Sequence, residues 1–545
     1  MVALVILDGW GIAPPGPGNA IDQADTVNIK RLSSEYLYTQ LIAHGESVGL
    51  PKGEPGNTET GHLNIGAGRI VYQDLPRINM SIADGTFFLN GPLLNAIRHA
   101  QTNNSNLHIM GLVGGGGVHS EISHLFALLR MCREQNFDRV FVHVFTDGRD
   151  SPPQASLTYI NQLQKTMQQE GLGKIASVTG RYYAMDRDYR WDRTALTYFC
   201  LTRGEGNKAD SVEQAINSSY VAGITDEFIK PTCIVENGKP VGIIKNKDSA
   251  IFFNYRIDRP RQLTKAFVLS DFEKSANKLV FDPYSVKYHQ KHDLSSTVSQ
   301  RQIPFERGAI ISDLNFVTLT EYEEGLLTTN VAFPPQIVEF SLGEVVSRAG
   351  LRQIRIAESE KERFVTYYFN GQTERVFEEE ERQIESSPKV STYDKKPEMS
   401  SSEITEDAIK AIQSRKYDLL VMNFANPDMV GHTGNIAAAV KSCKATDVCV
   451  AKIAEEVLKN NNDILVITAD HGNVEEMINR ITSLTDTEHN ANPVPFIIVG
   501  QKFKIGKRLA QGLLADVAPT ILSLLKIPRP GVMTGRNLLA DYPGL

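Results

Sequence analysis

The chain has 545 residues, more than one hydrophobic core usually supports, so about two to four domains are expected. With 41% hydrophobic and 22% charged residues, wholesale disorder, collagen-like repeats and coiled coil are excluded. A net charge of −7 excludes a global basic field for nucleic acid, and any anionic partner must be met by a local cluster of arginine or lysine.

The first apolar run, Val2 to Leu7, is β-rich and too short for a helix. It ends on Asp8-Gly-Trp-Gly, so it reads as a buried parallel strand with Asp8 at its C-terminal end. No run approaches the ~20 apolar residues that span a bilayer. The five cysteines are odd in number, sparse and without CxxC spacing, as expected of free thiols in a reducing compartment. A cytoplasmic protein with no membrane partner is the expectation. Gly56-Asn-Thr-Glu-Thr-Gly-His62 is a glycine-bounded turn presenting hydroxyls. Thr58 is the candidate nucleophile, since coordination to a divalent cation makes a hydroxyl competent at neutral pH. The competing reading is that Thr58 or Thr60 caps the helix beyond.

The middle of the chain has its own α/β rhythm: strands over 106–113, 139–145, 174–179 and 250–254, with helices over 121–135 and 154–170. Gly114 to Gly117 reads as a loop of close backbone approach. His119, Arg149, Asp150, Arg181, Arg187, Arg256 and Arg259 follow these strands. Arginine's planar fork suits bidentate capture of carboxylate or phosphate, so a small dianionic or trianionic substrate is expected. The alternative is surface ion pairing with Asp150, Asp186, Asp188 and Asp258. From 274 to 307 the periodicity is lost, as in a surface elaboration without chemistry.

Near the C-terminus the reading is a helix over 403–415, a strand over 418–424, a helix over 436–459 and a strand over 464–468, which make βαβ units. Ligands gather at the C-terminal edges of such parallel strands. Here those edges carry Asp8, then Asn426 to His432, then Asp470-His471. Asp428, His432, Asp8, Asp470, His471 and His489 together suit two divalent ions, and carboxylate with imidazole fits Mn, Zn or Co. A pair ~3.5–4 Å apart would clamp an in-line phosphoryl displacement. If these ends meet, residues 1–73 and 310–545 build one discontinuous domain and 74–309 is inserted, with crossings near 73–77 and 308–313.

The motifs LVILDGWG, GHLNIGAGRIVYQ, GGVHS, DGRDSPP, GRYYAMDRDYRW, FFNYRIDR, IAESEK, SPKVSTYDKKPEMS, NPDMVGH, TADHGN and HNANPVP occur in this order along the whole chain. In them the chain resembles the cofactor-independent (2,3-bisphosphoglycerate-independent) phosphoglycerate mutases of the alkaline phosphatase superfamily. The resemblance implies an α/β protein of two domains, an alkaline-phosphatase-like doubly wound sheet built from both chain ends and an inserted α/β substrate domain. It implies a monomer and two divalent ions, Mn2+ foremost, with no use of 2,3-bisphosphoglycerate. One ion would take Asp428, His432 and His489; the other would take Asp8, Asp470, His471 and the nucleophilic Thr58. Substrate residues would be His119, Arg149, Asp150, Arg181, Arg187, Arg256, Arg259 and Lys361. The reaction implied interconverts 3-phosphoglycerate and 2-phosphoglycerate in glycolysis and gluconeogenesis through a phosphothreonine at Thr58. Asp150 would serve the substrate hydroxyl as base or acid, and Lys361 would neutralise the transferring charge.

Three departures are visible. The family's serine in GNSEVGH is Thr58, its SDGGVHSH is GGGGVHSE with Gly115 and Glu121, and its EKYAHVT is EKERFVT around Lys361. The threonine motivates one alternative, a metal-dependent phosphohydrolase or a mutase of another sugar phosphate in the same superfamily.

Overall fold

Val2–Leu7 is buried along its whole length and pairs in parallel with Leu419–Phe424 on one side and Ile464–Thr468 on the other. A six-residue apolar run can lose both faces from water only inside a covered parallel sheet, at ~1.5–3 kcal/mol for each large side chain buried. The computed structural model in which this is seen describes residues 1–277, 302–326, 330–479, 482–503 and 509–542. Most of the irregular segment expected over 274–307 lies outside the described residues.

The chain divides into two compact units: Met1–Pro76 with Gln336–Leu545, and Arg77–Pro335. In the first, eight described strands run Glu380–Glu385, Gln353–Glu358, Leu419–Phe424, Val2–Leu7, Ile464–Thr468, Val494–Val499, Leu37–Ile42 and Gly512–Leu513 across the sheet. The first five are parallel, and Val494–Val499 runs against both its neighbours. The helix Ile436–Leu458 buries Ala439, Cys443, Val450, Ile453, Ala454 and Val457, a stripe at three- and four-residue spacing that turns one face to the core. Asn435 starts this helix by accepting from the Ala438 N–H.

The second unit carries nine described strands. Their order is Asn330–Phe333, Asn315–Thr320, Ser249–Phe252, Leu107–Val113, Val140–Thr146, Lys174–Gly180, Thr232–Glu236 and Asn207–Ala209, with Lys239–Pro240 on Thr232–Glu236. The return crossing lies later than the sequence reading puts it. Asn315–Thr320 buries Phe316, Val317 and Leu319 and pairs in parallel with Ser249–Phe252 on one side and Asn330–Phe333 on the other, so these two strands belong to the second sheet and the second unit runs to Pro335. Two strands in tandem after an aperiodic stretch carry no local mark of which sheet will bury them; pairing decides it.

Candidate active site

Strand ends of the first sheet bring the polar residues together. Asp8 leaves Val2–Leu7, Asp428 sits in the helix Asn426–Gly431 that follows Leu419–Phe424, and Asp470-His471 follow Ile464–Thr468. His432 ends the short helix one turn after Asp428, so both side chains share a face. Thr58 opens the helix Thr58–Ala67, but the cap is Asn57, whose side chain accepts from the Thr60 N–H at 2.9 Å. The cap reading of Thr58 and Thr60 therefore does not hold. Its hydroxyl lies 2.9 Å from His471 Nε2, 3.2 Å from Lys361 Nζ and 3.5 Å from Asp8 Oδ1.

Two ligand clusters are formed, Asp428 with His432 and His489, and Asp8 with Asp470 and His471; within each, the donor atoms lie within 4.8 Å of one another. Their chemistry tests whether a metal fits. His432 Nδ1 is 2.8 Å from the Thr487 carbonyl, His489 Nδ1 is 3.0 Å from that of Gly56, and His471 Nδ1 is 3.3 Å from that of Gly472. A carbonyl only accepts, so these rings carry a proton on Nδ1 and, when neutral, turn a lone pair outward from Nε2. His432 Nε2 and His489 Nε2 then stand 3.1 Å apart, each 3.3 Å from Asp428 Oδ1. Three electron-pair donors facing one point call for a cation. Without a metal the call falls on protons: burial would lower the pKa of His432, but the Asp428 carboxylate outweighs it and raises it. For His471 burial is likewise overcome, chiefly by Asp470, and its pKa rises to about 10. His489 goes the other way, lowered by burial and by His471.

Lys361, 3% exposed, places its ammonium 2.7 Å from Asp8 Oδ1 and 2.8 Å from Asp428 Oδ2. Burial would depress its pKa, yet Asp428 and Asp8 hold it above the usual lysine value. The π-helical turn Phe364–Tyr368 follows, and the Phe364 ring, at the family's histidine position, lies 5.1 Å from Lys361 Nζ and 5.7 Å from the His62 ring.

Four supporting residues escaped the sequence reading of the site. His62 Nδ1 is 3.0 Å from the Thr58 carbonyl and 3.2 Å from Asp470 Oδ2, while Asn423 donates to Asp8 Oδ2 at 2.7 Å. Asn473 donates to Asp428 Oδ1 at 2.9 Å, and Glu475 accepts from the N–H groups of Gly11 and Asn473. A polar Asn423 in an otherwise apolar strand, and a histidine four residues after Thr58, were the available signals. Gly61 has a packing reason: a Cβ there would lie 2.6 Å from Asp470 Cβ.

In the second unit the anion-binding candidates assemble around His119. Its Nδ1 is 3.5 Å from Asp258 Oδ1 and its Nε2 is 3.8 Å from Asp150 Oδ2. Arg181, buried, donates to both Asp147 and Asp150; Arg187 and Arg256 reach Asp258 at 2.7 and 3.1 Å. Arg259 donates to the Met185 carbonyl at 3.2 Å, and Arg149, more than half exposed, approaches Glu227 at 3.6 Å. Burial lowers the pKa of Arg259 to about 10, with Arg187 and Arg181 adding to it, and lowers that of His119 to about 4 against the pull of Asp258. Burial opposes ionisation of Asp150, but the Arg181 hydrogen bond prevails and its pKa stays below the usual carboxylate value. A neutral imidazole and an ionised carboxylate thus stand among five arginines. At Gly115 a Cβ would fall 2.4 Å from Tyr159 Oη, so a tyrosine occupies the space the family's aspartate would need.

Fold and site define an α/β protein in which both chain ends build a carboxylate–imidazole centre around a hydroxyl. Residues 78–324 match the family model described as BPG-independent PGAM N-terminus. The chain is 46% identical over 536 residues to a 2,3-bisphosphoglycerate-independent phosphoglycerate mutase of Moorella thermoacetica, covering 98% of each chain. It is 48% identical over 538 residues to 2,3-bisphosphoglycerate-independent phosphoglycerate mutase 1 of Methanosarcina barkeri, covering 98% of this chain and 97% of that one. Among solved structures, Leishmania mexicana phosphoglycerate mutase, crystallised at low cobalt concentration, aligns with a TM-score of 0.55 and 27% identity over 98% of this chain and 97% of that one. The chain belongs to the 2,3-bisphosphoglycerate-independent phosphoglycerate mutase family.

Proposed function

We propose that this protein interconverts 3-phosphoglycerate and 2-phosphoglycerate without 2,3-bisphosphoglycerate, by way of a phosphoryl group carried on Thr58. The observation that supports Thr58 most directly is its uncapped, buried hydroxyl within hydrogen-bonding reach of both His471 and Lys361. Asp428, His432 and His489 would hold one divalent cation, and Asp8, Asp470, His471 and the Thr58 oxygen a second, manganese foremost. Bound there, such cations lower the pKa of a coordinated hydroxyl and offset the charge of the transferring phosphoryl group.

The remaining work falls to side chains. Lys361 Nζ hydrogen-bonds the Thr58 oxygen and screens it from Asp8 and Asp428. In the first transfer a Thr58 O–P bond forms as the glycerate O–P bond breaks, and the proton lost from the Thr58 hydroxyl balances the one the freed glycerate oxygen takes up. Arg149, Arg181, Arg187, Arg256 and Arg259 hold the carboxylate and phosphate of the substrate. Asp150, held ionised by Arg181, removes the proton of the other glycerate hydroxyl, which attacks phosphorus and releases Thr58. His119, kept neutral, can share that proton through Nε2. The extra methyl of threonine restricts χ1 and crowds the tetrahedral phosphorus, which makes for a slower nucleophile than serine. Among the described residues no helix is long and apolar enough to cross a membrane, and we place the chain in the cytoplasm as a monomer acting on phosphoglycerates.

The test is a product assay: 3-phosphoglycerate with Mn2+ and no added bisphosphoglycerate should give 2-phosphoglycerate, and dominant release of free phosphate would overturn the mutase reading. Mass spectrometry of acid-quenched enzyme should find phosphate on Thr58. Thr58→Ser should keep or raise turnover and Thr58→Ala should abolish it; equal turnover for Thr58→Ala and the parent would remove Thr58 from the chemistry.

A further inference from the structure

Among the five cysteines, Cys200 and Cys233 stand apart from the other three because their sulfurs are in contact. Cys200 lies on the helix Trp191–Arg203 and Cys233 in the strand Thr232–Glu236, and the two Sγ atoms are 3.2 Å apart. Both thiols are buried and free. Cys132, by contrast, is a solitary thiol whose pKa burial pushes up to about 12, the profile of an inert core cysteine. We propose that Cys200 and Cys233 form a reversible disulfide when the protein meets a peroxide.

The two sulfurs are not equivalent. Either sulfur can donate in their contact, and Cys233 Sγ also donates to the Cys200 and Glu205 carbonyls at 3.6 and 3.7 Å when protonated; the contact and Lys208 lower the Cys233 pKa against the penalty of burial, while the same contact raises that of Cys200. Lys208 stands opposite Cys233 on the three-residue strand Asn207–Ala209 at the edge of the sheet, where Asn207 and Lys208 are exposed. A short edge strand is among the elements that open locally at low cost, which gives a small neutral oxidant its path.

The chemistry balances as follows. The Cys233 thiolate attacks one peroxide oxygen; the O–O bond breaks, and hydroxide leaves and takes up a proton as water. The sulfenic acid on Cys233 is then attacked by the Cys200 sulfur; the S–O bond breaks, water leaves with the Cys200 proton, and the S–S bond forms. Two thiols lose two electrons and two protons, and one peroxide becomes two waters. Closure asks the sulfurs to approach by about 1.2 Å, from contact to the ~2.05 Å of a disulfide. The bond ties the helix that follows the Asp186–Arg190 turn to a strand paired, through Ser177 and Cys233, with the strand leading into Arg181. It therefore braces the elements behind the arginine cluster.

The experiment uses the whole, metal-loaded protein and hydrogen peroxide. The intact mass should fall by the two hydrogens lost in S–S formation, digestion should yield one peptide pair joined through Cys200 and Cys233, and dithiothreitol should restore both thiols. The thermal midpoint without reductant should rise by several degrees, since a crosslink over this loop constrains the unfolded chain. In Cys200→Ser, Cys233 should react with dimedone after peroxide, because its sulfenic acid has lost its resolving partner. Recovery of Cys200 and Cys233 as separate alkylated or over-oxidised peptides, or a crosslink only between molecules, would overturn the proposal.

Discussion

Replacing Lys361 by methionine removes one positive charge and keeps most of the side-chain volume, and the structure allows its cost to be worked out. The ammonium is shared by Asp8 and Asp428 at 2.7 and 2.8 Å, all three groups being buried. Removing one member of such a set leaves uncompensated charge in the interior, which costs about 3–5 kcal/mol. For a unit of this size, where about 1 kcal/mol moves the midpoint by roughly 2 °C, the metal-free variant should melt about 6–10 °C below the metal-free parent. Saturating Mn2+ should narrow that gap, because a divalent cation supplies Asp8 and Asp428 with the charge the lysine gave them, and it stabilises by mass action besides. The assay is calorimetry of parent and Lys361→Met in chelator and in excess Mn2+. A midpoint unchanged in chelator would refute the reading of Lys361 as the counter-ion of the two carboxylates. A gap that Mn2+ leaves as wide would refute the claim that lysine and metal answer the same charges.

Acid should unfold the second unit through its buried histidines. His108 and His143, 3.0 Å apart and fully buried, and His124 all have pKa values lowered by burial, that of His124 to about 3. A histidine with a depressed folded pKa contributes stability above its unfolded pKa of ~6.5 and loses it as pH falls, so the midpoint should be flat above pH ~7 and decline below ~6.5. Trp191 is buried in that unit and Trp10 in the other, so its fluorescence in a Trp10→Phe variant reads this directly; a midpoint level down to pH 5 would contradict it. Gly61→Ala should push Asp470 out of place and weaken Mn2+ binding about 10–100-fold by titration, with parental affinity as the contrary result. Gly115→Asp should cost about 1 kcal/mol through its clash with Tyr159, relieved in the double variant with Tyr159→Ala; a purely additive pair would show that the two do not meet.

The parallel strands and the donors at their ends are legible in the sequence because each rests on a local signal. Val2–Leu7 is too short and too apolar for anything but a covered strand; Asp8, Asp470 and His471 stand just after such strands, and Asp428 and His432 on the short helix that follows a third. Asn57 as the cap of Thr58–Ala67 was not read, because Asn57, Thr58 and Thr60 are all good capping residues and only the backbone decides which oxygen meets the Thr60 N–H. His62, Asn423 and Glu475 were missed for a related reason: each acts on a residue far away in sequence, as Asn423 does on Asp8.

Amino-acid order by itself therefore determined the strands, the helix stripes and the inventory of carboxylates, imidazoles and guanidiniums, since these depend on periodicity and residue chemistry within a few positions. Tertiary structure alone decided that Asn315–Thr320 joins the second sheet, that Lys361 stands between Asp8 and Asp428, and that Cys200 meets Cys233. Pairing register and burial are properties of distant segments once they have packed, and no window along the chain contains both partners.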